Sequence, residues 1–158
     1  MRVKLRYLPV LLAFFTAWAW TAPAAAKTDL ICAGHAAGIR LHVDGLYGGY
    51  PHSVLRQAVL RSVACPTGPD VNAAFLKIAQ PAPHLRVSVI RPIGQGQQGS
   101  ISVMLFSRGQ FVIGERMGLS VLSRSQSPFV VSNDINLATQ RMWDDLAARM
   151  KAGGPVVP

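Results

Sequence analysis

The first twenty-six residues constrain the rest of this chain more than any other stretch. Arg2, Lys4 and Arg6 open it, Leu8 to Trp20 is almost wholly apolar, and Ala22-Pro23-Ala24-Ala25-Ala26 closes it with small residues. Basic, apolar and small-residue regions in that order define a secretory signal peptide. We therefore expect cleavage after Ala26, a working protein of residues 27–158, and a periplasmic or secreted location. The apolar run is about thirteen residues, short of the roughly 20 that cross a bilayer, so no transmembrane anchor is expected after cleavage. No Cys stands at the cleavage point to carry a lipid. The remaining length suits one domain with one core and a loose tail from about residue 153.

An exported setting changes the meaning of the two cysteines. Cys32 and Cys65 are the whole cysteine complement, and an even pair in an oxidising compartment forms a disulfide. Closing a loop of about 34 residues stabilises by roughly 4 kcal/mol in the chain-entropy description. The competing reading is a thiol ligand or nucleophile in Cys32-Ala33-Gly34-His35, with His42 nearby. No second close pair completes a four-ligand set, so no metal and no cofactor is expected.

Charge narrows the partners. The chain carries 16 basic and 7 acidic residues, and loss of the three signal cations lowers the net charge from +9 to +6. Such a surface favours anionic lipid, acidic glycan or acidic envelope protein. Nucleic acid suits the charge but not the compartment, and the arginines are scattered singly rather than run together.

Periodicity supplies the elements. Ile39 to Asp44 alternates apolar and polar residues, as a half-wet strand does. His52 to Ala64 places Val54, Leu55, Ala58, Val59 and Val63 on one helical face, with Pro51 suiting a helix start. Asp70 to Gln80 supports a shorter helix through Val71, Ala74, Phe75 and Ile78, stopped by Pro81 and Pro83. Leu85 to Arg91 alternates again. Ile101 to Phe106 is apolar throughout, which predicts a central strand covered on both faces. Phe111 to Leu122 forms another strand, with Gly114 and Gly118 as candidate bulges. From Ile135 an apolar stripe runs through Ala138, Met142, Leu146 and Met150, and Asp145 can pair with Arg149. Trp143 lies off the centre of that stripe and is expected to be partly exposed. The order predicts a two-layer α+β domain: a mainly antiparallel sheet of about four strands, with two or three helices on one face.

The motifs are weaker. Gly94-Gln95-Gly96-Gln97-Gln98-Gly99 matches the dinucleotide pattern by letter, but a strand follows it where the pyrophosphate needs a helix N-terminus. It is expected to be a hairpin loop. Asp44, Tyr47, Tyr50 and His52 surround a glycine-rich loop that enters a helix, and aromatic rings with polar neighbours suit a ligand or partner. These four are the candidate binding residues. His35, His42, His52 and His84 are dispersed without metal-ligand spacing. Asp144 and Asp145 point about 100° apart on a helix and form no carboxylate pair. The serines from Ser120 to Ser132 lack a nucleophile elbow. No catalytic residue is assigned.

The helix Ser53-Val54-Leu55-Arg56-Gln57-Ala58-Val59-Leu60-Arg61, the hairpin around Arg108-Gly109 and the helix Met142-Trp143-Asp144-Asp145-Leu146-Ala147 come in an order that resembles the small periplasmic auxiliary components of ABC transporters. The resemblance lies in architecture and hydrophobic rhythm, and covers most of the chain after the signal. It implies a non-catalytic helper in envelope transport and supplies no site residues. Members of that group are commonly lipoproteins, and the lipid-bearing Cys is missing here. The expectation is thus a non-enzymatic exported accessory or binding protein. The alternatives are a small periplasmic hydrolase or metal protein using His35, His42, His52 and Asp44, and a component of a secretion or conjugation assembly.

Overall fold

The computed structural model describes residues 28–45, 51–90, 99–118 and 131–156. The signal segment, Tyr47 and Tyr50, residues 94–98 of the glycine-rich motif and the serine-rich connection before Pro128 lie outside the described residues.

The elements run β1 (Asp29–Ile31), β2 (Ile39–Asp44), α1 (His52–Ser62), α2 (Pro69–Ile78), β3 (His84–Ile90), β4 (Ser100–Ser107), β5 (Gln110–Gly118) and α3 (Ser132–Lys151). The strands form one mixed sheet in the order β1-β2-β3-β4-β5. This is the α+β domain that periodicity predicts, with five strands instead of four. The extra strand, β1, spans only three residues, too short to show an alternation.

One pairing departs from the simple meander. β2 and β3 run parallel, because the connection between them carries both α1 and α2. A crossover of that length is what parallel neighbours require. The β1–β2, β3–β4 and β4–β5 pairs are antiparallel.

Burial follows the pleat. Ile39, Leu41 and Val43 of β2, Leu85, Val87 and Val89 of β3, and Ile101, Val103 and Leu105 of β4 all point inward and are buried. They meet Leu55 and Val59 of α1, Val71, Phe75 and Ile78 of α2, and Ile135, Met142 and Leu146 of α3 in one cluster. β4 therefore has one covered face, not two: Ser102, Met104 and Phe106 alternate with its buried residues and stay half-buried. Its apolar run arises because methionine and phenylalanine stand at positions on the open face.

β5 carries the irregularity. Phe106 pairs with Phe111 and Leu105 with Ile113, so Val112 is the extra residue of a bulge. Val112 and Ile113 are then buried consecutively, and Phe111 returns to the open face. Gly114 lies beyond the bulge, opposite Met104, and is not itself the inserted residue.

Trp143 overturns the expectation of partial exposure. It is 2% exposed, with its ring edge-on to Phe75 at 5.6 Å. Its Nε1–H donates to the Ala64 carbonyl at 2.8 Å, and the Ala64 N–H donates to Thr139 Oγ1 at 2.9 Å. The two bonds hold the α1–α2 connection against α3. They explain why a residue off the centre of the stripe is buried: the helix meets the connection there as well as the sheet.

Cys32 and Cys65 form a disulfide, with Cα atoms 5.6 Å apart. It ties the β1–β2 turn to the end of the same connection. The Arg56–Asp29 ion pair joins α1 to β1. The Asp145–Arg149 pair forms as spacing predicts, at 3.2 Å.

Candidate functional site

Among the described residues, α1, α2 and α3 pack on one side of the sheet, and none of these elements covers its other face. The register fixes what stands there. One row crosses all five strands as Leu30, Arg40, His84, Phe106 and Phe111. The next holds His42, Arg86, Met104 and Gly114, and a third holds Asp44, Ser88, Ser102 and Arg116. Ile90, Ser100 and Gly118 close the far end.

The face has two chemical halves. At one end Phe106 and Phe111 pack edge-on with centroids 6.0 Å apart, beside Met104. Gly114 leaves room for this cluster: a Cβ there would sit 3.0 Å from the Val103 carbonyl oxygen and 3.2 Å from both Met104 and Phe111. Arg40 and His84 stand between this slab and Leu30. At the other end the surface is polar. Arg86 donates from Nε to Asp44 Oδ2 at 2.7 Å and forms an ion pair with it, while Ser88 donates to Asp44 Oδ1. Asp44 is thereby held by two neighbours on β3. Arg40 and Arg116 are exposed and make no ion pair among the described residues.

The expected binding residues are placed as follows. Asp44 belongs to this face. His52 Nε2–H donates to the Val43 carbonyl at 2.9 Å, which fastens the start of α1 to the end of β2. Between them Gly45 has φ +132°, and a Cβ would lie 2.0 Å from the Val89 carbonyl oxygen, so the chain passes against β3 where only glycine fits. The histidines do not gather. His42 and His84 lie on the open face, and His35 lies in the β1–β2 turn, edge-on to Phe75 at 6.4 Å. Among the described residues no three His, Cys, Asp or Glu side chains are grouped as a metal site. Among them, too, no helix is long and apolar enough to cross a membrane.

A concavity of about 380 Å³ lies on the helical side and is lined by Ala64, Cys65, Thr67, Val71, Gln140, Trp143 and Asp144. Its walls are the disulfide connection and the Trp143 anchor, which places it within the structural joint of the fold.

The open-face residues that the sequence did not bring together are Leu30, Arg40, Arg86, Ser88, Ser102, Phe106, Phe111 and Arg116. The signal was present as the polar half of each alternation. What was missing was the inter-strand register that brings those halves side by side. The chain matches no protein-family model, and a search of curated proteins finds no significant relative.

Proposed function

We propose that this chain is a non-enzymatic binding or accessory module of the bacterial cell envelope, exported to the periplasm or beyond, with the open sheet face as its binding surface for an anionic partner. The observation that carries this reading is that face itself. It spans five strands, mixes exposed arginines with exposed apolar side chains, and among the described residues has no helix across it. Unpaired cations beside exposed aromatic and aliphatic groups suit a partner with negative charge and apolar surface. The Cys32–Cys65 disulfide supports export, because such bonds persist in oxidising compartments. Transport, the setting implied by the resemblance, belongs to the same proposal.

The reading is tested by placing a photoreactive side chain at Ser102 on the open face and, separately, at Ala148 on the exposed side of α3. Illumination in intact cells is expected to yield adducts from position 102 and few from position 148. Adducts mainly from position 148 would contradict it. The hydrolase and metal alternatives draw on His35, His42, His52 and Asp44. A turnover by the purified chain that disappears in His42→Gln or Asp44→Asn would favour them instead.

A further inference from the structure

We infer that the anionic partner of the open sheet face is the surface of a lipid bilayer, an inference that rests on the binding role proposed for that face. Four large apolar side chains are strongly exposed among the described residues: Leu30 at 62%, Leu76 at 59%, Phe111 at 51% and Ile90 at 44%. Three of them, Leu30, Phe111 and Ile90, are on the open face. They occupy its margins rather than its middle. Leu30 is on the edge strand β1, Phe111 on the edge strand β5, and Ile90 at the far end of β3. Four strand spacings put Leu30 about 19 Å from Phe111, and six residues along β3 put Ile90 roughly 20 Å from their row.

That spacing selects among anionic partners. A small anion or a single sugar cannot reach three points so far apart. A protein partner would need three matching apolar pockets at the same separations. A bilayer offers apolar depth beneath its headgroups at every point, so the three side chains can enter it without matching pockets. The cations lie between the anchors, where phosphates would be. Leu30 is paired with Arg40, and Arg116 lies on β5 beyond Ser102, whereas Arg86 in the middle of the face is neutralised by Asp44. Ser100 and Ser102 add hydroxyl groups. The one acid in these rows, Asp44, is engaged by Arg86 and Ser88 and does not stand alone against an anionic surface.

The test is flotation of the exported chain, purified without detergent, with vesicles of phosphatidylglycerol and phosphatidylethanolamine or of phosphatidylcholine alone. The expected result is flotation with the anionic vesicles, loss of most of it in about 0.5 M salt as screening shortens, and little binding to the neutral ones. Arg40→Glu with Arg116→Glu is expected to weaken binding by at least roughly tenfold. Leu30→Ser and Phe111→Ser should each weaken it severalfold, and Leu76→Ser, on α2, should leave it unchanged. Equal binding to neutral vesicles, or binding indifferent to the open-face variants, overturns the inference. If both vesicles are ignored while position 102 captures an acidic protein in cells, the bilayer inference fails and the binding role of the face survives. If position 102 captures neither lipid nor protein, both fail.

Discussion

Single residues decide where this fold tolerates change. Gly45 combines a positive φ with a backbone carbonyl 2.0 Å from any Cβ, whereas Gly109 has φ +81° and open space around it. Gly109→Ala should cost about 1 kcal/mol, the penalty of a left-handed alanine. Gly45→Ala adds displacement of β3 and should cost about 3 kcal/mol or more. Denaturant midpoints of the two variants check the order. Asp44 makes a second, opposite case. Its pair with Arg86 is partly exposed, so Asp44→Asn should change stability by less than about 1 kcal/mol. The same change removes an acid from the open face and should raise affinity for anionic vesicles severalfold. Flotation against phosphatidylglycerol measures that gain, and a loss would argue that Asp44 itself contacts the partner. Of the candidate site residues, the place of Asp44 at the end of a strand was legible from the alternation. His52 was legible as the start of a helix, but its bond to Val43 was not, since that depends on how the loop returns.

At the scale of elements, the connection between α1 and α2 is the joint on which the helical layer depends. The disulfide reaches it from the β1–β2 turn, and Trp143 and Thr139 reach it from α3. Replacing both cysteines by alanine should lower stability by roughly 4 kcal/mol, less any structure kept in the unfolded chain. Thermal unfolding of the reduced and oxidised protein checks this without a mutation. Trp143→Phe leaves the Ala64 carbonyl without its donor, and Thr139→Val leaves the Ala64 N–H without its acceptor. Each should cost about 1–3 kcal/mol. Because both act on the same peptide segment, the double variant should cost less than the sum, which a mutant cycle measures. Most elements were legible because each carries its own period. β1 was not, being three residues long. The parallel β2–β3 pairing and the Val112 bulge were hidden too, since both are relations between strands and leave no mark on either strand alone.

The whole molecule is a two-layer domain with chemically unlike sides. Its helical side packs one hydrophobic core against the sheet and carries exposed ion pairs such as Lys151–Asp70 and Arg149–Asp145. Its sheet side keeps arginines, serines and large apolar groups in solvent, an arrangement that isolated stability does not require. Amino-acid periodicity predicted the two layers, while the open face became visible only once five strands were in register. The account therefore stands on that face being covered when the protein is in place. Hydroxyl-radical footprinting of intact envelopes against the purified chain measures this directly. Labelling of Met104, Phe106 and Phe111 should fall at least severalfold in the envelope while Leu76 on α2 is labelled as before. Equal labelling of the three open-face residues in both states, with protection confined to the helical side, would contradict it.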